Sequence, residues 1–435
     1  MKILFVHQNF PAQFKFLAPA LIEAGHEVTA LTLKEFDAKE WQGVSIITYT
    51  TTRGTSETVH PWVSDLETKT IRGEACFRVA LRLKKEGYEP HVIIAHHGWG
   101  ESLFLKEVWP QARLGIYCEF FYKTHGLDVG FDPEFPAKDE GNACRIRLKN
   151  INNLLHFPLA DAAISPTAWQ ASTFPEPFRS KITVVHDGID TDVLVPDSGA
   201  SLTINGEIKL TYQDEIITFV NRNLEPYRGY HIFMRALPEI LKRRPNARVL
   251  IVGGGERGNS YGAEPDSGGS WKEIFGSEIR PLVTEEDWAR VHYLDRLPYQ
   301  HFIKVLQLST VHVYLTYPFI LSWSLLEAMS IGCSIVASAT PPVEEVILQD
   351  QTGKLVEFFD KESLVDQICL LLTDDDLRQK LGTNARRFVV QNYDLKTVSL
   401  PKQINWVGQL AAGEETNKKF SIRKWGWGSS DRRQS

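Results

Sequence analysis

Two arginines in the second half of the chain have the side-chain type and the position that suit a diphosphate. Arg222 and Arg228 flank the segment NLEPY, which follows a predicted strand and precedes a predicted helix. Ligands of α/β folds bind beyond the carboxyl ends of the strands, and guanidinium groups form paired hydrogen bonds with phosphate oxygens. The same spacing also fits two solvated surface arginines, so position alone leaves both interpretations open.

A glycine-rich turn follows the next predicted strand. Gly253, Gly254 and Gly255 come after the sequence RVLIV, and with Gly258 they satisfy the pattern G-x-G-x-x-G. A dinucleotide fingerprint also needs a helix that begins in the loop and directs its amino terminus at the pyrophosphate. The polar sequence that follows does not predict such a helix. We therefore interpret the turn as a close backbone approach to a phosphate-bearing ligand, and not as a nicotinamide site.

A third segment combines a loop with a carboxylate on an apolar helix. The predicted helix over 322–330 carries Glu327 about one turn from its start. The loop that opens this helix consists of Phe319, Ile320, Leu321 and Ser322. Burying a carboxylate costs free energy unless a hydrogen-bonding partner is present, and a ribose hydroxyl would be such a partner.

The sequence does not predict a metal site. Asp190-Thr191-Asp192 is a D-x-D pattern, but it lies at a predicted domain junction with no second phosphate motif beside it. The run at 374–376 fits a helix start, where carboxylates complement the dipole. The five cysteines are scattered and form no CxxC pair, which argues against both a zinc site and a disulfide framework.

Composition excludes several classes of protein. The chain has 435 residues, of which 43% are hydrophobic, enough for two or three domains with sizeable cores. It has 48 basic and 54 acidic residues, a net charge of −6, so no overall basic field is present to bind nucleic acid. The amino terminus has no secretory signal pattern, and no long apolar run spans a membrane. We expect a cytoplasmic protein.

Apolar runs that alternate with helical periodicity predict an α/β fold with parallel sheets. The predicted strands are 3–6, 28–33, 45–49, 92–95, 114–117, 162–165 and 182–185 in the first half, and 216–220, 248–252, 291–293, 311–315 and 334–337 in the second. The main predicted helices are 12–24, 230–243, 300–308, 322–330 and 361–372. This pattern predicts two Rossmann-like domains with a ligand cleft between them.

The predicted domain boundaries follow from the same pattern. The segment 187–209 is rich in Asp, Gly and Ser and is the best candidate for an interdomain connection. We place a first domain at 1–190, a second at 191–398, and a helix that returns toward the first domain, followed by a polar tail, at 399–435.

These segments together resemble the GT-B glycosyltransferases, specifically the retaining family 4 group in a bacterial subgroup, from the opening strand to about Tyr393. In that family a basic pair of the form R-x-x-x-x-K-G holds the donor diphosphate, and Arg222 and Arg228 stand at or near its two positions. Glu327 matches the second glutamate of the E-x7-E element, which contacts the ribose. The first glutamate, which contacts the donor sugar, falls on Phe319, a departure from the family pattern.

The resemblance implies further site residues. His96 matches the second histidine of a strand that ends in H-x-H and would face the donor sugar as part of the catalytic set with Arg222 and Arg228. A lone histidine at a strand end is as often a satisfied loop residue. The acceptor side of the cleft would be formed by His7, Asn9, Phe10, His97, Trp99 and Glu101.

The resemblance also implies the reaction. The enzyme would transfer a sugar from a UDP- or GDP-linked donor to a glycan, lipid-linked or small-molecule acceptor, with retention of anomeric configuration and with neither metal nor other cofactor. Basic residues over 71–85 could form a peripheral membrane contact on the inner face of the membrane, although a solvated helix face fits them as well. Two alternatives stay open: a catalytically weak sugar-nucleotide or glycan-binding protein, and a GT-B-type sugar-nucleotide epimerase.

Overall fold

The first half of the chain forms an eight-stranded sheet with helices on both faces. The computed structural model describes residues 1–137, 139–255, 261–266 and 268–414. The strands are β1 (Lys2–Val6), β2 (Glu27–Thr32), β3 (Glu40–Trp41), β4 (Val44–Thr48), β5 (Val92–Ala95), β6 (Arg113–Tyr117), β7 (Ala162–Ser165) and β8 (Ile182–Val184). Their order is β3-β4-β2-β1-β5-β6-β7-β8, and all pairs are parallel except β3 with β4. The helices are α1 (Leu17–Glu23), α2 (Ser64–Lys85), α3 (Leu105–Val108), α4 (Asn142–Lys149), α5 (Ile151–His156) and α6 (Ala168–Ser172).

The second half forms a six-stranded parallel sheet. A hairpin of β9 (Ser201–Ile204) and β10 (Ile208–Thr211) precedes it. The sheet strands are β11 (Ile216–Asn223), β12 (Arg248–Gly254), β13 (Val291–Tyr293), β14 (Val311–Tyr314), β15 (Ile335–Ser338) and β16 (Lys354–Val356), in the order β13-β12-β11-β14-β15-β16. The helices are α7 (Tyr230–Arg243), α8 (Trp271–Ile279), α9 (Glu285–Trp288), α10 (Tyr299–Gln307), α11 (Trp323–Ile331), α12 (Pro341–Glu344), α13 (Lys361–Thr373), α14 (Asp375–Tyr393) and α15 (Leu400–Ala412).

The buried character of the strands explains both sheets. Every residue of β5, β7, β14 and β15 is buried, as expected for strands that are covered by helices on both faces. The predicted α/β class with parallel sheets is confirmed.

The last helix crosses back to the first sheet. Trp406 on α15 is fully buried and joins the core beneath α1 and β1. The contact requires Gly115 on β6, because a Cβ atom there would lie 2.6 Å from the Trp406 ring and from Leu410. The chain therefore ties its carboxyl-terminal segment to the first sheet through one large side chain. The polar tail at 415–435 lies outside the described residues.

Two expectations from the sequence were wrong in detail. The helix predicted over 12–24 is a 3-10 turn at Ala12–Phe14 followed by the shorter α1, in which Pro19 stands in the first turn. The segment 187–209, predicted as a plain connection, contains β9 and the first residues of β10, which pair into a hairpin. Among the described residues, no helix is long and apolar enough to cross a membrane.

Candidate active site

Three neighbouring strands of the second sheet bring the basic pair, the glycine turn and the α11 loop to one edge. β11 lies between β12 and β14, so the carboxyl ends of all three are adjacent. Asn223 at the end of β11 pairs with Gly254 at the end of β12, after a bulge in the strand. Arg222 precedes this pair, is exposed, and makes no hydrogen bond or ion pair within the described part of the chain.

Arg228 reaches the loop after β14. Its Nη1 donates to Thr316 Oγ1 at 2.9 Å and to the carbonyl of Ile320 at 3.1 Å. The guanidinium lies 5.4 Å from the centre of the Tyr261 ring. Arg228 is only 7% exposed, and no carboxylate pairs with it among the described residues. A buried cation without a carboxylate partner is costly, so this site is prepared to receive an anion.

The glycine turn has no room for a side chain at Gly253. Gly253 has φ +155°, and a Cβ atom there would lie 2.8 Å from the carbonyl oxygen of Asn221. Gly255 stands next to Ser270, the capping residue of α8. Among the described residues, the first helix after the turn is α8, which starts at Trp271. Gly258 lies outside the described residues.

The loop before α11 is packed more tightly than the sequence suggested. The Phe319 ring is 4% exposed and contacts Tyr227, Tyr261 and, from the first domain, Phe120 at 4.8 Å between ring centres. Its carbonyl accepts a 2.8 Å bond from the indole of Trp169. In this structure Phe319 therefore joins the two domains, and its role in donor choice stays a prediction. Leu321 is buried in the second-domain core.

The start of α11 presents polar groups to the same edge. Ser322 caps the helix by accepting from Ser324 N, while its own amide donates to Tyr314 Oη at 3.0 Å. Glu327 is buried, and its Oε1 accepts a 2.8 Å bond from the Tyr299 hydroxyl. Burial raises the pKa of Glu327, although the Tyr299 bond and the positive Lys15 oppose this. The second carboxylate oxygen of Glu327 has no hydrogen-bond partner within the described residues.

The first sheet faces this edge with His96. The ring follows β5, is 3% exposed, and stacks against Trp99 and Tyr117 at 5.8 and 5.4 Å between ring centres. Neither ring nitrogen has a hydrogen-bond partner within the described residues. Glu119 Oε2, just beyond β6, lies 3.5 Å from His96 Nε2. An unsatisfied buried imidazole beside a carboxylate is typical of a ligand-binding position.

Of the residues expected to bind the acceptor, only some lie near His96. His7 contacts the His96 ring at 5.1 Å and has an unpaired Nε2, and burial lowers the pKa of His7 well below its usual range. Asn9 is exposed beside His7, and its backbone N–H donates to His7 Nδ1 at 2.9 Å. Trp99 is also exposed, at 36%.

The other three residues expected on the acceptor side are buried and have partners within the protein. Phe10 is fully buried against Phe5 and Trp41, because its ring completes the core under the first sheet. His97 bonds to the Tyr117 carbonyl at 3.0 Å. Glu101 accepts a 2.8 Å bond from the Tyr49 hydroxyl, and burial raises its pKa. These three side chains are as buried as those of His7 and His96, and their contact with an acceptor stays a prediction.

Sequence reasoning missed two carboxylates at the domain interface. The charge of Glu119 acts on Tyr261, whose hydroxyl has its pKa raised by burial and raised further by Glu119. The positive Arg228 and Arg222 lower the same pKa. Asp187 Oδ2 accepts bonds from Tyr117 Oη at 3.0 Å and from Trp323 Nε1 at 2.9 Å, and so joins β6 to α11. The only sequence signal for Glu119 was its position directly after a predicted strand.

The interface carboxyl of Asp187 predicts a pH-dependent stability. Burial raises its pKa from 3.8 to about 7, so between these values the folded protein holds a proton that the unfolded chain releases. The stability from Asp187 is complete below about pH 4 and is lost as the pH rises through 7. We expect the native protein to lose more stability across this window than the Asp187→Asn variant, which keeps the acceptor oxygen. The difference between the two losses should be about 4 kcal/mol. Urea unfolding at several pH values measures it.

Asp197→Asn, in an exposed turn, is the matched control. Equal pH dependence in the native protein and in the Asp187→Asn variant would show that Asp187 does not titrate in this window.

One group of possible metal ligands is present among the described residues. Atoms of Asp132, Glu134 and His231 lie within 4.8 Å of one another. However, Asp132 Oδ2 already accepts from Tyr317 Oη at 2.6 Å and contacts His231 Nε2 at 2.9 Å, and both Glu134 oxygens bind Arg235. A cation at the same oxygens would face the guanidinium, so the group is better explained as a polar contact between the domains.

The Asp190-Thr191-Asp192 pattern belongs to a turn near the domain junction. Asp190 Oδ1 accepts the amides of residues 192 and 193, and Asp192 forms a 2.7 Å ion pair with Lys396. Thr191 donates to Asp394 at 2.5 Å. These partners hold the turn against the segment that leads into α15.

The fold and this edge define a two-domain enzyme scaffold of the GT-B type, and sequence comparison supports that class. The profile described as "Glycosyl transferase family 4 group" matches residues 24–194, and the profile described as "Glycosyl transferases group 1" matches residues 204–388. The chain belongs to the group 1, family 4 glycosyltransferases.

Curated relatives are distant. A D-inositol 3-phosphate glycosyltransferase of Corynebacterium efficiens is 26% identical over 208 residues, 47% of this chain and 46% of that protein. A GDP-mannose-dependent alpha-(1-6)-phosphatidylinositol monomannoside mannosyltransferase of Mycolicibacterium smegmatis is 25% identical over 322 residues, 73% of this chain and 77% of that protein. In most of these matches the chain spans about half the length of the relative.

Solved structures confirm the GT-B fold. Sucrose-phosphate synthase from Thermosynechococcus elongatus superposes with a TM-score of 0.72 at 18% identity, covering 95% of this chain and all of that one. The Anabaena protein HepE in complex with UDP and glucose gives 0.63 at 15% identity, covering 94% and 99%.

Proposed function

We propose that this protein transfers a sugar from a nucleoside diphosphate donor to an acceptor bound by the first domain, with retention at the anomeric carbon. The observation that carries the proposal is the pair Arg222 and Arg228, neither of which has a carboxylate partner among the described residues. The pair stands beside the glycine turn and the start of α11. A protein that only bound glycans would gain nothing from two such cations.

The chemistry follows from charge. Breaking the glycosidic bond to the diphosphate leaves negative charge on the leaving group, and that charge grows toward the transition state. Arg228, held by Thr316 and Ile320, is a fixed donor that stabilises this charge without reorganisation, and Arg222 adds a second positive charge at the same edge. The free oxygen of Glu327 accepts a hydrogen bond from the ribose. The His96 ring, whose nitrogens make no hydrogen bond within the described part of the chain, is available to a donor-sugar hydroxyl.

Retention would be achieved without an enzyme nucleophile. A double displacement needs a carboxylate that attacks the anomeric carbon, and the carboxylate nearest His96, Glu119, lies on the first-domain side of the interface. The leaving phosphate would instead take the proton of the acceptor hydroxyl, as the family resemblance implies.

Similar proteins indicate which donors and acceptors to test first. HepE was solved with UDP-glucose and with UDP, and the M. smegmatis relative is named for GDP-mannose, so UDP- and GDP-sugars are the donors to test first. A lipid-linked acceptor would require a membrane contact. On α2, exposed Arg78 and Arg82 lie within ion-pair distance of Glu74 and Glu86, which weakens a basic membrane-facing surface.

The function is tested by incubation with a panel of UDP- and GDP-sugars, with and without candidate acceptors. We expect release of free nucleotide that increases with an acceptor and falls in the Arg222→Ala variant. Tight nucleotide binding with no turnover on any acceptor would favour the sugar-nucleotide-binding alternative. A stereoisomer of the donor sugar formed without acceptor would favour an epimerase.

Turnover should not depend on a metal ion. Two arginines already neutralise the diphosphate at this edge, and Asp190 and Asp192 have partners within their own turn and on Lys396. We expect EDTA to leave the rate of nucleotide release within about twofold of the untreated rate. Loss of the rate with EDTA and its return with Mn²⁺ or Mg²⁺ would contradict this prediction.

A further inference from the structure

A polar cavity of about 350 Å³ lies in the first domain, outside the edge that holds the donor groups. It forms where the first turn of α2 meets α4. The lining residues are Pro61, Trp62, Ser64, Asp65, Thr68, Arg145 and Lys149. Neither the reaction proposed above nor the sequence motifs use any of them.

The charged groups around this cavity favour an anion. Lys149 is largely buried and contacts the Tyr122 ring, 3.7 Å from its centre, but has no hydrogen-bond acceptor or carboxylate partner within the described residues. Arg145 bonds only to the amide oxygen of Asn142, through Nε and Nη2. The one carboxylate of the lining, Asp65, forms a 2.7 Å ion pair with Lys69.

The titration of Lys149 agrees with an unsatisfied cation. Burial lowers its pKa to about 8; Asp65 and Asp128 raise the pKa, whereas Lys69 and Arg145 lower it. Three cations therefore crowd this corner of the domain. A bound anion would relieve their mutual repulsion.

The helix that borders the cavity adds to this field. α2 is 22 residues long and follows directly on a 3-10 turn at Pro61–Val63, whose own start is capped by the His60 side chain. The amino-terminal end of a helix carries the positive end of its dipole. Ser64, the first residue of α2, and Thr68 one turn later both line the cavity, and the Thr68 hydroxyl already donates to the Ser64 carbonyl at 3.0 Å.

The rings of Tyr122 and Phe120 connect the cavity to the interface of the two domains. Tyr122, beneath Lys149, packs on Phe120 at 5.5 Å between ring centres, and Phe120 packs on Phe319 at 4.8 Å. Asn150, next to Lys149, bonds to both backbone groups of Tyr122. A group in the cavity is thus on the acceptor side of the site, across Phe319 from the donor edge.

We propose that this cavity is an acceptor subsite that binds a phosphate group, held by Lys149, Arg145 and the start of α2. The inference rests on the proposed transferase function, which it extends by naming the chemistry of the acceptor. A phosphate supplies up to two negative charges and several acceptor oxygens that match the two cations and the Ser64 hydroxyl.

The test is equilibrium binding in the absence of nucleotide, by calorimetry on the full chain. The probes are inorganic phosphate, glucose 6-phosphate, glucose, and vesicles that contain phosphatidylinositol. We expect the native protein to bind glucose 6-phosphate and not glucose, and Lys149→Gln and Arg145→Gln each to weaken that binding about tenfold or more. If the native protein binds only the vesicles, and Lys149→Gln weakens that binding, the phosphate belongs to a lipid headgroup.

One variant serves as the matched control. Arg147→Gln changes an exposed cation on α4 that does not line the cavity, and it should bind glucose 6-phosphate as the native protein does. No binding of any phosphate probe by the native protein, or equal losses in Arg147→Gln and Lys149→Gln, would overturn the proposal. Because no nucleotide is present, failure here would leave nucleotide release, the test of the transferase function, unaffected.

Discussion

We expect the Arg228→Ala variant to turn over its nucleotide-sugar donor about 100-fold more slowly than the native protein, or slower still. Removing one preorganised donor to a developing charge costs about 10²–10³ in kcat. Affinity for the free nucleoside diphosphate should fall less, because the charge that Arg228 stabilises is largest in the transition state. Steady-state kinetics with the best donor of the panel, together with calorimetry of nucleotide binding, separate the two effects.

The structure gives this experiment its controls. Arg228 also bonds to Thr316 and Ile320, so the loop before α11 loses two contacts with the guanidinium. Arg228→Lys keeps a charge at this position and should recover part of the rate. Arg243→Ala removes an exposed arginine at the end of α7 that pairs with Asp366 and should leave kcat unchanged. A loss in Arg228→Ala confined to KM would contradict a transition-state role.

The second large effect concerns stability. Trp406→Ala should lower the free energy of unfolding by about 3–5 kcal/mol, because it removes a fully buried indole and leaves a cavity. The space cannot close easily, since Gly115 on β6 has no side chain to fill it. Urea unfolding measures the change. Asn405→Ala, an exposed position on the same helix, is the control, and similar losses in both variants would show that α15 is held by other contacts.

Much of the fold was predictable because its elements carry strong local patterns. The helix over 230–243 was predicted with its observed bounds, since one face is apolar throughout and Gly229 precedes it. Strands 92–95 and 162–165 also matched, because continuous apolar runs are typical of parallel strands that are buried on both faces. The hairpin at 201–211 was missed because its strands have only four residues each, two of them apolar, and lie in a segment rich in turn residues.

The site was predictable only where it follows strand ends. Arg222, Arg228 and the glycine turn were expected at a common edge, and the sheet order places β11 and β12 side by side. The setting of Asp187 was not predictable, because its partners are 70 and 136 residues away along the chain.

The burial of Phe319 depends in the same way on distant residues. Three of its ring partners belong to other segments of the chain, one of them to the other domain. Local sequence shows a loop before a helix at this point, and tertiary packing decides whether the ring lies in the cleft or in the core.

The most direct test of the central claim is a crystal structure of the protein with UDP or GDP bound. We expect the diphosphate to contact Arg222 and Arg228 beside Gly254, at the start of α11, and a ribose hydroxyl to bond to Glu327. A nucleotide bound away from this edge, with both arginines free of phosphate, would show that the donor site lies elsewhere.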